Sequence, residues 1–232
     1  MKDQNFWRAF KNTLLLNFKY LIISFPLTLI FALLLNEVKN VHFKKIVQTI
    51  SYLPHFISMV IVAGMVREIL STSGPINNLI TKLGGEAVTF ISLPEWFTTI
   101  FVTTGVWQGL GWGTILYLAA MSGINTELYE AAELDGANKW QIFWNVTLPQ
   151  LKPTTFFVII MLTIASFKVY DQMYMITQGG PGNATMTLVY YIYNVAFVNT
   201  PKYGYASAVS MVLFVLVLFV TIIQFKGSSN ND

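Results

Sequence analysis

Residues 127–149 read ELYEAAELDGANKWQIFWNVTLP, and this stretch decides the fold. Leu128, Ala131, Ala132 and Leu134 recur at helical spacing, as do Ala137, Trp140, Phe143 and Val146. Asp135 and Gly136 part the two halves. Glycine reaches positive φ without a Cβ penalty and ends helices, and Asp135 or Asn138 can cap the next helix. The spacing therefore predicts a short helix, a sharp turn and a second short helix. Pro149 and Pro153 are expected to stop that second helix and to restart the chain as another. The polar stretch as a whole runs from Ser122 to Lys152, with long apolar runs on both sides.

Those apolar runs set the solvent. The chain has 232 residues, 54% hydrophobic and 11% charged, with mean hydropathy +0.56. A soluble domain carries about 25% charged residues, so most of this surface faces lipid. Five segments could each supply the roughly 20 apolar residues that a spanning helix needs. They are 14–35, 46–66, 97–121, 154–176 and 204–225. The first is too long for the apolar core of a signal peptide. The third is the cleanest, with no charge between Glu95 and Glu127. A sixth run, Leu188 to Val198, is too short to span, and its tyrosines suit an interfacial or re-entrant helix. The expected fold class is an all-α polytopic membrane protein.

Several chemistries are excluded. A net charge of +3 on scattered residues gives no nucleic-acid footprint. There is no cysteine, and the two histidines are far apart, so neither a metal site nor a nucleophile–base pair is expected. No GxxxxGK[ST] sequence is present to bind ATP, and no cofactor is implied. Gly109, Gly111 and Gly113 read as close helix packing rather than a dinucleotide loop. His55 reads as a membrane histidine hydrogen-bonded to a neighbouring helix. Lys168 and Asp171 fall inside the fourth segment. Charges there face a bundle interior or a water-filled cavity, and their spacing also allows a mutual ion pair. Asp171, Gln172 and Tyr174 offer a carboxylate, an amide and an aromatic ring, groups suited to lining a path for a polar solute. The positive-inside rule leaves orientation open. Lys39, Lys44, Lys45, Lys139, Lys152 and Lys226 flank one side, and Lys2, Arg8, Lys11, Arg67, Lys82 and Lys202 the other.

Within the opening stretch, Glu130, Ala131, Ala132, Asp135, Gly136, Ala137, Trp140, Phe143, Thr147, Leu148 and Pro149 stand at the positions of a known loop. They resemble the EAA loop of permeases from binding-protein-dependent ABC importers. The motifs FWRAFKNT at 6–13, YLPHFIS at 52–58, WQGLGWG at 107–113 and YDQ with TQGGPGN at 170–183 resemble the carbohydrate-type permeases of that family. The resemblance covers about residues 5 to 226. It implies a cytoplasmic coupling helix pair, with Glu130, Ala131, Ala132, Asp135, Gly136, Ala137, Trp140 and Phe143 docking on the ATPase. It also implies a plasma (inner) membrane location, a dimer of ATP-binding subunits, a second permease subunit expected to be a different chain, and an extracytoplasmic solute-binding protein. Asn36 to Lys45 and Ser122 to Lys152 would then face the cytoplasm, and Ser71 to Glu95 and Gln178 to Tyr203 the outside. Members of the family usually carry a further hydrophobic helix and an outer loop ahead of the matched region; this chain begins after both. The runner-up function is an ATP-independent channel or secondary transporter, which a continuous relay of buried charges would favour; only Asp171 is evident.

Overall fold

The computed structural model of the chain describes residues 3–198 and 200–229; Lys2 lies outside them. Helix α1, Gln4–Asn36, is capped by Asp3, whose carboxylate accepts from the backbone amides of Asn5 and Phe6. Four of its uncharged polar side chains point inward. Thr13, Asn17, Ser24 and Thr28 are buried, while Phe18, Ile22, Ile30 and Leu34 are exposed. Buried Thr13 and Thr28 hydroxyls donate to the carbonyls four residues back, Ala9 and Ser24. Such self-satisfaction lets hydroxyls face a helix partner without water.

Helix α2, Val41–Tyr52, continues as a 3-10 turn, Leu53–Phe56, and helix α3, Met59–Ile69, leaves it at a bend of 100°. The second predicted span is therefore broken at Ile57 and Ser58. Two features make the break. Pro54 opens the 3-10 turn, and the Gln108 amide donates to the freed Ile57 carbonyl at 2.9 Å. Helix α4, Pro75–Lys82, lies in the following loop. There the fully buried Asn77 donates to Ser71 and Val88 carbonyls and accepts from the Val88 amide.

Helix α5, Pro94–Ser122, runs unbroken through the third predicted segment. It is the hub, packed on α1 and α2. A Cβ on Gly111 would lie 2.1 Å from the Ser51 carbonyl oxygen, so only glycine lets α5 rest on the α2 backbone. Beyond α5 come α6, Thr126–Leu134, and α7, Lys139–Ile142. A π-helical turn, Phe143–Thr147, joins α7 to α8, Leu148–Phe167.

The expected stop at Pro149 and Pro153 is corrected: Lys139–Phe167 is one continuous helix. A proline ring clashes with the carbonyl four residues earlier. The wider π turn just before Pro149, in which the Leu148 amide reaches the Phe143 carbonyl, makes room for it. The fourth predicted segment does not reach 176 as one helix. It ends at Phe167, and after Lys168 to Tyr170 a second piece includes the π turn Met173–Thr177.

The loop after it turns through positive φ at Gln178, Gly179, Gly180, Gly182 and Asn183. Asn12 holds it by donating to the Ala184 and Met186 carbonyls. Helix α9, Leu188–Tyr193, follows with a π turn to Val198. Its Tyr190 and Tyr191 are buried in the main core with Phe6, Phe101 and Met173. Helix α10, Tyr203–Ser229, covers α8 and α9.

Among the described residues three helices are long and apolar enough to span: Gln4–Asn36, Lys139–Phe167 and Tyr203–Gly227. The bent pair Val41–Phe56 and Met59–Ile69 makes a fourth if counted as one. Helix α5 has the length, but its threonines, glycines, tryptophans and Gln108 dilute its hydropathy.

Candidate functional site

The turn at Gly136 is built as its residues dictate. Gly136 has φ +77°. Its amide donates to the Glu133 carbonyl, and the Ala137 amide donates to the Ala132 carbonyl, both at 3.0 Å. This crossed pair satisfies the carbonyls that α6 would otherwise leave open. Asn138, not Asp135, caps α7. Its side-chain oxygen accepts from the Gln141 amide at 3.0 Å, and the Gln141 side chain accepts from the Asn138 amide at 2.8 Å. The two helices are thus fixed at a defined angle by bonds within the turn itself.

The pair projects from the body. No residue of α6 or α7 is buried. Leu134 is 89% exposed and Trp140 68%, and Trp144 joins Trp140 and Phe143 in a cluster of rings 5.2–5.8 Å apart. Glu130, Ala131 and Asp135 are placed at its surface: Ala131 and Asp135 are exposed, Glu130 is exposed, and Ala132, Ala137 and Phe143 are half-buried. Few ties hold the pair down. The Tyr129 and Thr147 hydroxyls lie 3.3 Å apart, and Lys139 pairs with Glu37 at the end of α1 at 3.4 Å. That exposed ion pair is worth about 0–1 kcal/mol. The pair thus presents exposed Leu134 and Trp140 beside the exposed carboxylates of Glu130, Glu133 and Asp135.

A second feature is a cleft of about 440 Å³ between α1, α5 and the break after α8. Tyr20, His55, Gln108, Lys168, Tyr170 and Asp171 give it its polar and aromatic lining. Asp171 and Lys168 are exposed to it and form no ion pair with each other; among the described residues the one ion pair is Lys139–Glu37. Gln172 is only 3% exposed and donates to the Phe101 carbonyl at 3.0 Å. Its amide nitrogen is committed to holding the broken helix against α5. Tyr174 does not line the cleft. It stacks on Tyr170 with ring centres 5.4 Å apart. His55 meets the neighbouring helix by stacking on Trp112 at 4.8 Å rather than by a hydrogen bond.

The structure thus brings Asp171 and Gln172 to one cleft and leaves Tyr174 behind it. Residues that sequence reasoning missed are Gln108, Tyr20 and Tyr170. Gln108 was legible as the lone amide in an otherwise apolar span; the two tyrosines carried no separate signal.

Known proteins share this architecture. Residues 13–226 match the family described as binding-protein-dependent transport system inner membrane component. Protein LplB of Bacillus subtilis is 37% identical over 212 residues, 90% of this chain and 66% of LplB. The lactose transport system permease protein LacF of Rhizobium radiobacter is 34% identical over 97% of this chain and 77% of LacF. A chain of the bacterial ABC transporter involved in import of the acidic polysaccharide alginate superposes with TM-score 0.91 at 35% identity. The match covers 99% of this chain and 80% of that one. This chain therefore spans about two thirds of LplB and about four fifths of the alginate transporter chain. The family's description is that of an inner-membrane transport component, and the apolar helices here are long enough to cross a membrane. The chain belongs to the family of binding-protein-dependent transport system inner membrane components.

Proposed function

We propose that this chain is one permease subunit of an ATP-driven importer and forms part of the pathway for a saccharide brought by a solute-binding protein. The observation that carries the reading is the likeness, over 99% of the chain, to a subunit of an alginate-importing ABC transporter. The projecting α6–α7 pair supports it from the chain's own geometry. In this reading Glu130 to Ala137, with Trp140 and Phe143, dock on an ATP-binding subunit. Docking energy comes from covering exposed Leu134 and Trp140, at about 25 cal/mol per Å² of apolar area. Exposed Glu130 and Asp135 add little.

The transport cycle follows from rigidity. Two ATP-binding subunits close on ATP and move the docked pair. The pair is continuous with α8 through the π turn, so the motion passes into a membrane helix without slack. Alternating access is then rigid-body rocking of helices about the cleft. Asp171 offers hydrogen-bond acceptors to sugar hydroxyls there, and Tyr170 offers a ring face. The chain itself needs no catalytic group, cofactor or metal for this work.

The proposed topology has five crossings, with α2 and α3 forming one broken crossing. Asn36 to Lys45 and Ser122 to Lys152 are cytoplasmic, and Ser71 to Glu95 and Gln178 to Tyr203 are outside. A second permease subunit, a different chain, completes the pathway. Co-purification with the ATP-binding subunit and the solute-binding protein tests the assembly. It is followed by an ATPase assay over a sugar panel. The reading expects hydrolysis to rise with the loaded binding protein for at least one saccharide. An ATPase indifferent to the binding protein for every sugar would refute it.

A further inference from the structure

Helix α2 carries a division of polarity that its packing alone does not require. Wound at 3.6 residues per turn, Phe43, Ile46, Ile50 and Leu53 fall on one flank, and Lys45, Gln48, Thr49 and Tyr52 on the other. The helix buries no residue fully. Lys44, Val47, Gln48, Ser51 and Tyr52 are half-buried, and the Ser51 backbone lies over Gly111 of α5. Phe43, Ile46, Ile50 and Leu53 are exposed on the apolar flank, and on the polar flank Lys45 and Thr49 are exposed beside half-buried Gln48 and Tyr52.

Each flank has its own surroundings. The apolar flank is the more open, with Ile50 66% exposed. It borders an apolar cleft of about 330 Å³ lined by Phe31, Val47, Ile50, Pro54, Trp107 and Leu110. On the polar side, the 3-10 turn that extends α2 carries His55 into the 440 Å³ cleft of the candidate site. Lipid suits the first flank. It does not suit the second, where an ammonium, an amide, a hydroxyl and a phenol would lack water.

We propose that Lys45, Gln48, Thr49 and Tyr52 line the cytoplasmic leg of the pathway and guide saccharide from the cleft at His55 toward the Asn40 end of α2. The inference rests on the importer reading above and deepens it. The groups suit the task. Amide and hydroxyls exchange hydrogen bonds with sugar hydroxyls, Tyr52 offers a ring face, and each contact is weak enough to let go.

The chain has no cysteine, so single cysteines from Phe43 to Leu53 can be read without background. The complete transporter, with its ATP-binding subunits, is placed in inside-out membrane vesicles. Methanethiosulfonate ethylsulfonate, a membrane-impermeant reagent, is added on the cytoplasmic side. Gln48→Cys, Thr49→Cys and Tyr52→Cys should react faster than Ile46→Cys, Ile50→Cys and Leu53→Cys. The expected factor is about tenfold for each unit by which lipid raises the thiol pKa. Reaction at Gln48→Cys or Tyr52→Cys should also block import. Equal rates on the two flanks, or faster reaction on the apolar one, overturn the proposal. ATP-driven saccharide import by the cysteine-free parent is measured separately. Import together with a flat reaction pattern rejects the polar leg and leaves the importer reading standing. Absence of import from the parent rejects the reading itself, and the saccharide leg with it.

Discussion

Gly136→Val isolates the backbone's part in coupling. A Cβ at Gly136 would meet nothing within 4 Å, so the substitution creates no clash inside the chain. Its cost comes from φ +77°, a region that a β-branched residue seldom enters. Holding a non-glycine residue in such a region costs about 1–3 kcal/mol. If the turn relaxes instead, the crossed bonds from Gly136 and Ala137 to Glu133 and Ala132 are lost and the angle between α6 and α7 changes. An energy of that size shifts the turn's population by about 5- to 150-fold. Binding-protein-stimulated ATPase activity and saccharide uptake should fall together in membranes holding normal amounts of the permease. Co-purification with the ATP-binding subunit should weaken alongside. Asparagine enters the left-handed region more readily than other side chains, so the loss should grow in the order Gly136→Asn, Gly136→Ala, Gly136→Val. Equal loss in all three would mean that the partner needs the space rather than the angle. Normal coupling in Gly136→Val would refute the reasoning outright.

The remaining elements carry expectations of their own. Cysteines at Asn138 and Asn183 should label from opposite sides of the membrane in intact cells and inverted vesicles; labelling of both from outside contradicts the topology. Asp171→Asn should change uptake for at least one saccharide without changing thermal stability in detergent, since its carboxylate is exposed to the cleft and unpaired among the described residues. Gln172→Leu should act in the opposite way, lowering stability by about 0.5–1.5 kcal/mol because the bond that ties the broken helix to the Phe101 carbonyl is lost. Asp3, at the head of α1, has its carboxyl held below the usual range, first by the Tyr191 hydroxyl, then by the Asn5 and Phe6 amides and by Lys202. A depressed folded-state pKa stabilises above the ordinary aspartate value of about 3.9 and is lost as pH falls through the folded value. Asp3→Asn should therefore flatten the acid limb of a melting-temperature profile, and an unchanged limb would count against the bond.

What the sequence made legible was local. The turn at Gly136 and the cap at Asn138 each depend on residues within five positions, so residue type and spacing sufficed. So did the apolar runs of α1 and α10. The breaks were hidden because hydropathy averages across them. Ile57 and Ser58 sit in an apolar window, yet the chain bends there by 100°, because Gln108, fifty-one residues away, supplies the donor for the Ile57 carbonyl. The gap from Lys168 to Tyr170 is likewise held by Gln172 reaching Phe101 across 71 positions. The proline at 149 misled for a related reason. A proline predicts a break unless a π turn absorbs it, and nothing in FWNVT announces a π turn. For the candidate site, residue chemistry pointed to Asp171 and Gln172 but could not say which side chain faces the cleft and which is tied into the core.

The central claim is that ATP hydrolysis drives saccharide through a path this chain helps to line. Its most direct test is uptake into proteoliposomes that contain this chain, its partner permease and the ATP-binding subunits. The solute-binding protein and a labelled saccharide are outside, and ATP is enclosed within. Uptake should require both ATP and the binding protein, and should run against a saccharide gradient. Uptake that proceeds equally without ATP, and only down the gradient, would identify a channel or secondary transporter and contradict the account.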